Sequence, residues 1–244
     1  MKRFLSILLI SLLICSPLAA QQKKTSKDDD KPPRILWTDS SAQANPRFEA
    51  MVTAATTKMS DHFRFGHFRS IYAETRQYDP LGDDVVEKMQ ELAYKVQTAE
   101  DFDKKNTALE EYRQLVKDHL ANMRVITQAL SFSKLDSTFG SPVFFRWLRK
   151  GIMRDILRTG DGNTLRTAYS VVTLSEETSL VGQLGYTILD TQSAREGGLF
   201  YNMHEVEEIG TGQKKTLFVN TSTPMRFVHY QQQENGRAYN ILRQ

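Results

Sequence analysis

Apolar residues recur at intervals of three and four through the first two thirds of the chain, and at alternate positions through much of the remainder. The first spacing is that of helices with one buried face, the second that of half-buried strands. From Pro46 to Met59 the residues Phe48, Met51, Val52 and Ala55 share a face, with Asn45 placed as cap and Pro46 at the first helical position. In the aromatic-rich run from Asp61 to Pro80, Phe68, Ile71, Tyr72 and Thr75 keep helical spacing, and Tyr78-Asp79-Pro80-Leu81-Gly82 marks a turn. Three more helices are predicted. Asp83 to Thr98 is capped by Asp83 or Asp84 and turns Val85, Val86, Met89, Leu92, Ala93 and Val96 inward; Glu100 to His119 buries Phe102, Leu109, Tyr112, Leu115 and Val116; the third covers Leu120 to Phe132. Short polar links make them antiparallel neighbours. Phe102, Ala108, Tyr112, Leu115 and the break near Asp118 form one weakly tetratricopeptide-like unit. A solenoid needs several such units, so the expectation is a layer of helical hairpins.

Pro142 to Thr159 is the next helix, with Phe144, Phe145, Leu148, Ile152 and Ile156 inward. Arg146, Lys150, Arg154 and Arg158, spaced by four, make a basic stripe elsewhere on its surface, and Trp147 falls within that stripe. Gly160 is placed for a left-handed helix stop, Asp161-Gly162 for a tight turn, and Asn163 and Thr164 for side-chain bonds that tie it. Beyond this seam the pattern becomes strand-like. Thr167 to Leu174 is rich in β-branched residues. Ser175 caps a short helix carrying Glu176 and Glu177 in its first turn, with Leu180, Val181 and Leu184 inward and Gly185 at its end. Strands at Tyr186–Thr191, Leu199–Val206 and Thr216–Asn220 are joined by turns at Gly197-Gly198 and Gly210-Thr211-Gly212. The predicted class is α+β: N-terminal antiparallel helical hairpins packed with a C-terminal antiparallel β-meander. One domain spans 46–230, helical over 46–159 and strand-rich over 164–222, followed by a polar tail at 231–244 that frays.

The N-terminus adds a destination. Met1-Lys2-Arg3, an apolar run from Phe4 to Cys15 and the exit Ser16-Pro17-Leu18-Ala19-Ala20-Gln21 read as a secretory signal peptide cleaved after Ala20. The run is too short to span a membrane, and Ile14 before Cys15 is too large for a lipoprotein signal. The charged, Pro-ended segment at 21–45 reads as a disordered linker. Its Asp28-Asp29-Asp30 lacks the spaced oxygens, glycine and closing glutamate of a calcium loop. Cys15 is the only cysteine, so the exported chain has no disulfide, no thiol nucleophile and no Cys-ligated metal. The formal net charge of +3 loses two positive residues, Lys2 and Arg3, with the leader. The remaining +1 gives no argument for nucleic acid.

Candidate chemistry is sparse. His62 and His67 have no third ligand at useful spacing, so neither a metal nor a cofactor is implied. If the last hairpin centres on Thr211, His204 faces Phe218 and Asn202 faces Asn220, which puts Asn202, His204 and Asn220 on one sheet face. His204 is then a candidate general base or ligand group. Glu176 and Glu177 point about 100° apart on a helix; Asp161 with Glu176 is the carboxylate pairing worth weighing for hydrolysis. G-x-S-x-G, H-E-x-x-H and Walker A patterns do not occur. The stripe Arg146, Lys150, Arg154 and Arg158 with Trp147 is either a solvated face or a site for lipid headgroups, glycan or a peptide carboxylate.

Gly160-Asp161-Gly162, Thr167-Ala168-Tyr169, Val171-Val172 and Glu176-Glu177, taken in order, resemble the signature of a family of secreted bacterial proteins known only as a domain of unknown function. The resemblance extends from Phe63 to Phe227. It includes the aromatic-rich stretch from Phe65 to Pro80 and the strands from Leu199 to Asn220; where the family follows its second acidic position with an aromatic, this chain has Thr178. It implies helices first and sheet last, and brings no activity, cofactor or catalytic residue. The function expected is that of an exported, non-catalytic binding or accessory protein, with an anionic envelope component or peptide as partner. The alternatives are a hydrolase using Asp161, Glu176 or His204, and a surface-docking protein using the basic stripe.

Overall fold

The computed structural model describes residues 45–235. The expected leader, Cys15, the three aspartates, nearly all of the linker and the end of the tail lie outside the described residues. Among those described, helices come first: α1 (Pro46–Thr57), α2 (Phe65–Tyr72), α3 (Asp83–Thr98), α4 (Phe102–Asp118), α5 (Met123–Leu135) and α6 (Pro142–Leu157). They are followed by strand β1 (Tyr169–Ser170), helix α7 (Leu174–Gln183), strands β2 (Tyr186–Glu196), β3 (Leu199–Glu208) and β4 (Lys214–Asn220), and helix α8 (Ser222–Asn235). The class is α+β. No described helix is long and apolar enough to cross a membrane.

Local chemistry sets most helix starts. Asn45, Asp101, Asn122 and Ser141 each accept backbone N–H groups from the first turns of α1, α4, α5 and α6. In α3 the expected Asp83 or Asp84 cap is replaced by Gly82, whose φ of 76° turns the chain. The cap-like acceptor lies upstream, where Asp79 takes the N–H groups of Leu81 at 3.0 Å and Gly82 at 2.8 Å. Asp83 and Asp84 therefore serve the first turn, where acidic charge meets the positive end of the helix. The core runs without a break from the helices into the sheet, from Phe48, Phe68 and Tyr72 through Met89, Tyr112 and Ile152 to Leu180, Leu217 and Val219. Phe102 is an exception to its predicted inward position: it is 74% exposed at the start of α4.

The sheet is mixed, with strand order β1-β4-β3-β2. The antiparallel meander is present as β2-β3-β4, but β1 adds a two-residue parallel edge to β4. The expected strand over Thr167–Leu174 is thus confined to Tyr169–Ser170, because Leu165–Thr167 is a 3-10 turn and α7 begins at Leu174. The α7 cap is Thr173, two residues earlier than Ser175, and it forms a capping box in which Glu176 reaches back as its reciprocal partner. Ser222 to Asn235 is helical, so the helix takes in the start of the expected tail.

Gly160 does not serve as a left-handed cap; among the seam glycines, positive φ belongs to Gly162 at 69°. Gly160 is required by closeness. Thr167 O accepts N–H groups from Asp161 at 3.0 Å and Gly162 at 2.8 Å, and a Cβ on Gly160 would stand 2.1 Å from that oxygen.

Two register details position the chemistry. First, β3 and β4 pair as His204–Leu217, Asn202–Val219 and Tyr201–Asn220, one residue away from the expected register. The loop is bounded by the Glu207–Lys214 pair, so its centre falls between Gly210 and Thr211. A one-residue shift exchanges the faces of every side chain. Asn220 is therefore separated from Asn202 and His204, and the predicted three-residue cluster is corrected to two. Second, β2 carries a bulge between Ile188 and Asp190 that leaves Leu189 out of the ladder. Ahead of it Ile188 pairs with Val206; after it Thr191 pairs with His204 and Ser193 with Asn202. Without the bulge Asp190 would stand opposite His204. The extra residue transfers the odd-numbered side chains of β2 to the His204 face.

Candidate functional site

The seam holds a buried ion network that starts on α2. Arg69 lies next to the apolar face formed by Phe68, Ile71 and Tyr72 and is 3% exposed. Its Nε and Nη2 donate to the two oxygens of Glu176 at 3.0 and 2.8 Å, its Nη1 to Asp155 at 2.5 Å, and its Nη2 also to the Ser170 carbonyl at 3.0 Å. Glu176 additionally accepts the N–H of Val172 at 2.7 Å. Burial opposes the charge on Arg69, yet the carboxylates of Glu176 and Asp155 outweigh it and hold the guanidinium above its ordinary pKa. Every oxygen of the fully buried Glu176 is thus committed. This glutamate clamps α2, β1 and α7 together and has no lone pair directed at solvent.

Glu177 points to the sheet instead. It is buried and accepts His204 Nε2 at 2.6 Å and Asn202 Nδ2 at 2.9 Å. On the far side of the ring, His204 Nδ1 meets Thr191 Oγ1 at 2.8 Å, and the Asn202 carbonyl accepts the Ser193 hydroxyl at 3.0 Å. Thr191 and Ser193 are exposed on the edge strand. The result is a chain of hydrogen bonds from a buried carboxylate through a buried imidazole to the hydroxyl of an exposed threonine.

The basic stripe lies on α6. Arg146, Lys150, Arg154 and Arg158 are all exposed, and none of them forms an ion pair with an acidic group among the described residues. They border three grooves. One of about 540 Å³ lies between α6 and the α5 and α7 helices and includes Arg149, Lys150 and Arg154. A second of about 540 Å³ is lined by Asp61, Arg146, Trp147, Lys150 and Arg154 among others. The third, about 440 Å³, is shared with the start of α2 and includes His62, Arg64, His67, Arg154 and Arg158. Trp147 is half-buried against Phe65 at 5.1 Å, Phe63 at 5.4 Å and Phe144 at 5.9 Å between ring centres, so aromatic rings cover it. Gly151 lets the Phe65 ring sit against α6, since a Cβ there would come within 2.0 Å of it. His62 and His67 flank the third groove, and no group of three or more potential metal ligands occurs among the described residues.

Asp161, Glu176 and His204 have no bonding partner in common. Asp161 is exposed, and its carboxylate accepts the Asn163 N–H at 2.9 Å. Bonds from Thr167 and Asn163 hold it below the usual carboxylate range. It forms no ion pair with Arg158 or Arg166 among the described residues. Asn220 accepts the Ser222 N–H at 3.0 Å and turns the chain from β4 toward α8. Sequence reasoning passed over Arg69, Glu177 and Thr191. For Arg69 the usable signal was a cation adjoining an unbroken aromatic face. For Thr191 there was none, because the bulge that aims it has no signature in the sequence. Protein-family models, curated proteins and solved structures contain no match to this chain.

Proposed function

We propose that the protein binds an extended anionic ligand along the exposed face of α6. The observation that carries this reading is the row Arg146, Lys150, Arg154 and Arg158, exposed cations that form no ion pair among the described residues and outnumber Asp61 and Asp155, the acidic residues in the grooves they border. Residues four apart on a helix rise about 6 Å per step, so the row extends about 18 Å. Like charges at that spacing destabilise a helix by a few tenths of a kcal/mol per pair. Arg154 and Arg158 recover some of this at the negative end of the helix, but Arg146 lies near the positive end. A ligand bearing several carboxylates or phosphates relieves that repulsion, and arginine binds both groups in bidentate fashion. In the exported setting expected from the leader-like N-terminus, an acidic glycan or lipid headgroup of the cell envelope has this chemistry. Binding to heparin and to vesicles with and without phosphatidylglycerol, measured over a salt series, tests the reading. Affinity should fall with salt and with Arg146→Glu/Arg154→Glu; no binding to either probe, or binding indifferent to both changes, would reject it.

A further inference from the structure

We infer that Thr191 is a nucleophile activated by His204, with Glu177 as the residue that positions the imidazole, and that the site takes small activated acyl esters from solvent. The contact with Glu177 sets the tautomer of a neutral His204 ring. An ionised carboxylate only accepts, so Glu177 at 2.6 Å requires the hydrogen of a neutral His204 ring to sit on Nε2. Nδ1 is then the lone-pair nitrogen, and the Thr191 hydroxyl 2.8 Å away donates to it. This is the arrangement in which an imidazole removes a hydroxyl proton while a carboxylate stabilises the imidazolium that forms.

Three features separate this chain of bonds from ordinary core satisfaction. The carboxylate and imidazole belong to residues buried at 6% and 3% exposure, whereas the threonine they serve is exposed. The bulge at Leu189 puts a threonine, instead of Asp190, opposite His204, and an aspartate there could not donate the proton. Glu177 sits in the first turn of α7 and also accepts from Asn202, so its orientation does not depend on the ring alone, and it engages Nε2 while leaving Nδ1 to the hydroxyl.

In the first step Thr191 Oγ1 attacks the ester carbonyl carbon and its proton passes to His204 Nδ1. The alkoxy group leaves with that proton as an alcohol, and an acyl-Thr191 ester remains. In the second step His204 takes a proton from water, the hydroxide adds to the acyl carbon, and the carboxylic acid departs as Thr191 recovers its proton. No oxidant or further reactant is required. The site shares no residue with the α6 row, so either can fail without the other.

The test is acetyl transfer from p-nitrophenyl acetate to the full chain, followed by peptide mapping. Thr187, exposed on the same strand and paired with Glu207, is an internal reference without an imidazole. Thr191 should acetylate at least about 100-fold faster than Thr187, the lower end of what a positioned general base supplies. Thr191→Ser should retain the adduct and Thr191→Val should lose it. Glu177→Gln, in chain that keeps its native circular dichroism, should lower the maximal labelling rate and leave the half-saturating ester concentration unchanged. Equal labelling of Thr191 and Thr187, or no acetyl group on Thr191, would overturn the inference.

Discussion

Glu176 receives Nε and Nη2 of Arg69 at 3.0 and 2.8 Å across 107 residues of chain, while its immediate neighbour Glu177 turns away to His204. Adjacent residues on a helix point about 100° apart. α7 uses that angle to fasten itself on one side to the helical layer and on the other to the sheet.

Removing Glu176 leaves a buried guanidinium with only Asp155 opposite it. Glu176→Ala should cost about 3 kcal/mol or more, read as a lower urea midpoint with unchanged slope. Arg69→Met combined with Glu176→Leu should recover part of that loss, because the two substitutions share one interaction. Equal stability of Glu176→Ala and the parent would remove the network from its structural role.

His119 supplies an acid limb to the stability curve. Burial pushes its pKa down to about 4, and Tyr72 Oη lies 3.0 Å from its Nδ1. The unfolded ring titrates near the ordinary value of about 6.5. Above that pH both states are neutral and the group contributes no pH dependence. As pH falls from about 6.5 to about 4 the unfolded chain takes up a proton that the folded chain refuses, so stability declines by about 3 kcal/mol and then levels with respect to this group. His119→Gln, which keeps an acceptor for Tyr72, should flatten this part of the thermal-melting profile; an unaltered profile would assign the acid limb to other groups.

Gly151 and Gly160 are packing glycines. Gly151→Ala must displace the Phe65 ring, itself held by Phe63 and Trp147, at about 1–3 kcal/mol. Gly160→Ala meets backbone, the Thr167 carbonyl at 2.1 Å. It should cost at least as much, about 3 kcal/mol. Gly182→Ala, with nothing within 4 Å of the added carbon, should be neutral or slightly stabilising in the last turn of α7. Calorimetric melting of the three variants checks the order.

The α6 row predicts a salt slope. Arg154 borders all three grooves, so Arg154→Gln should weaken heparin binding more than Arg146→Gln. Each should reduce the dependence of log affinity on log salt, as expected when a cation that screens an anionic ligand is removed. Titration calorimetry at several salt concentrations measures both, and unchanged slopes would separate the stripe from binding.

Much of the fold was legible along the chain. Helix positions, the Asn45 cap, the hairpin glycines and the change from period 3.6 to period 2 near Gly160 are local properties, encoded by side-chain hydrogen bonds and by which residues are apolar. The basic stripe was legible for the same reason, since four-residue spacing on a helix sets a common face. What depended on distant contacts was not. Arg69 acquires its meaning from Glu176 and Asp155, which fold onto it from far along the sequence. The His204 cluster depended on where the Gly210–Gly212 turn centres and on one extra residue at Leu189. Because side chains on a strand alternate, each of those single-residue shifts exchanges one face for the other. The sequence by itself determined most of the elements, their order and the basic row on α6. Only the tertiary structure decided that Glu176 is a clamp, that Asn220 belongs to a turn, and that Glu177, His204 and Thr191 stand in line, because pairing register and buried ion contacts are settled by the packed chain as a whole.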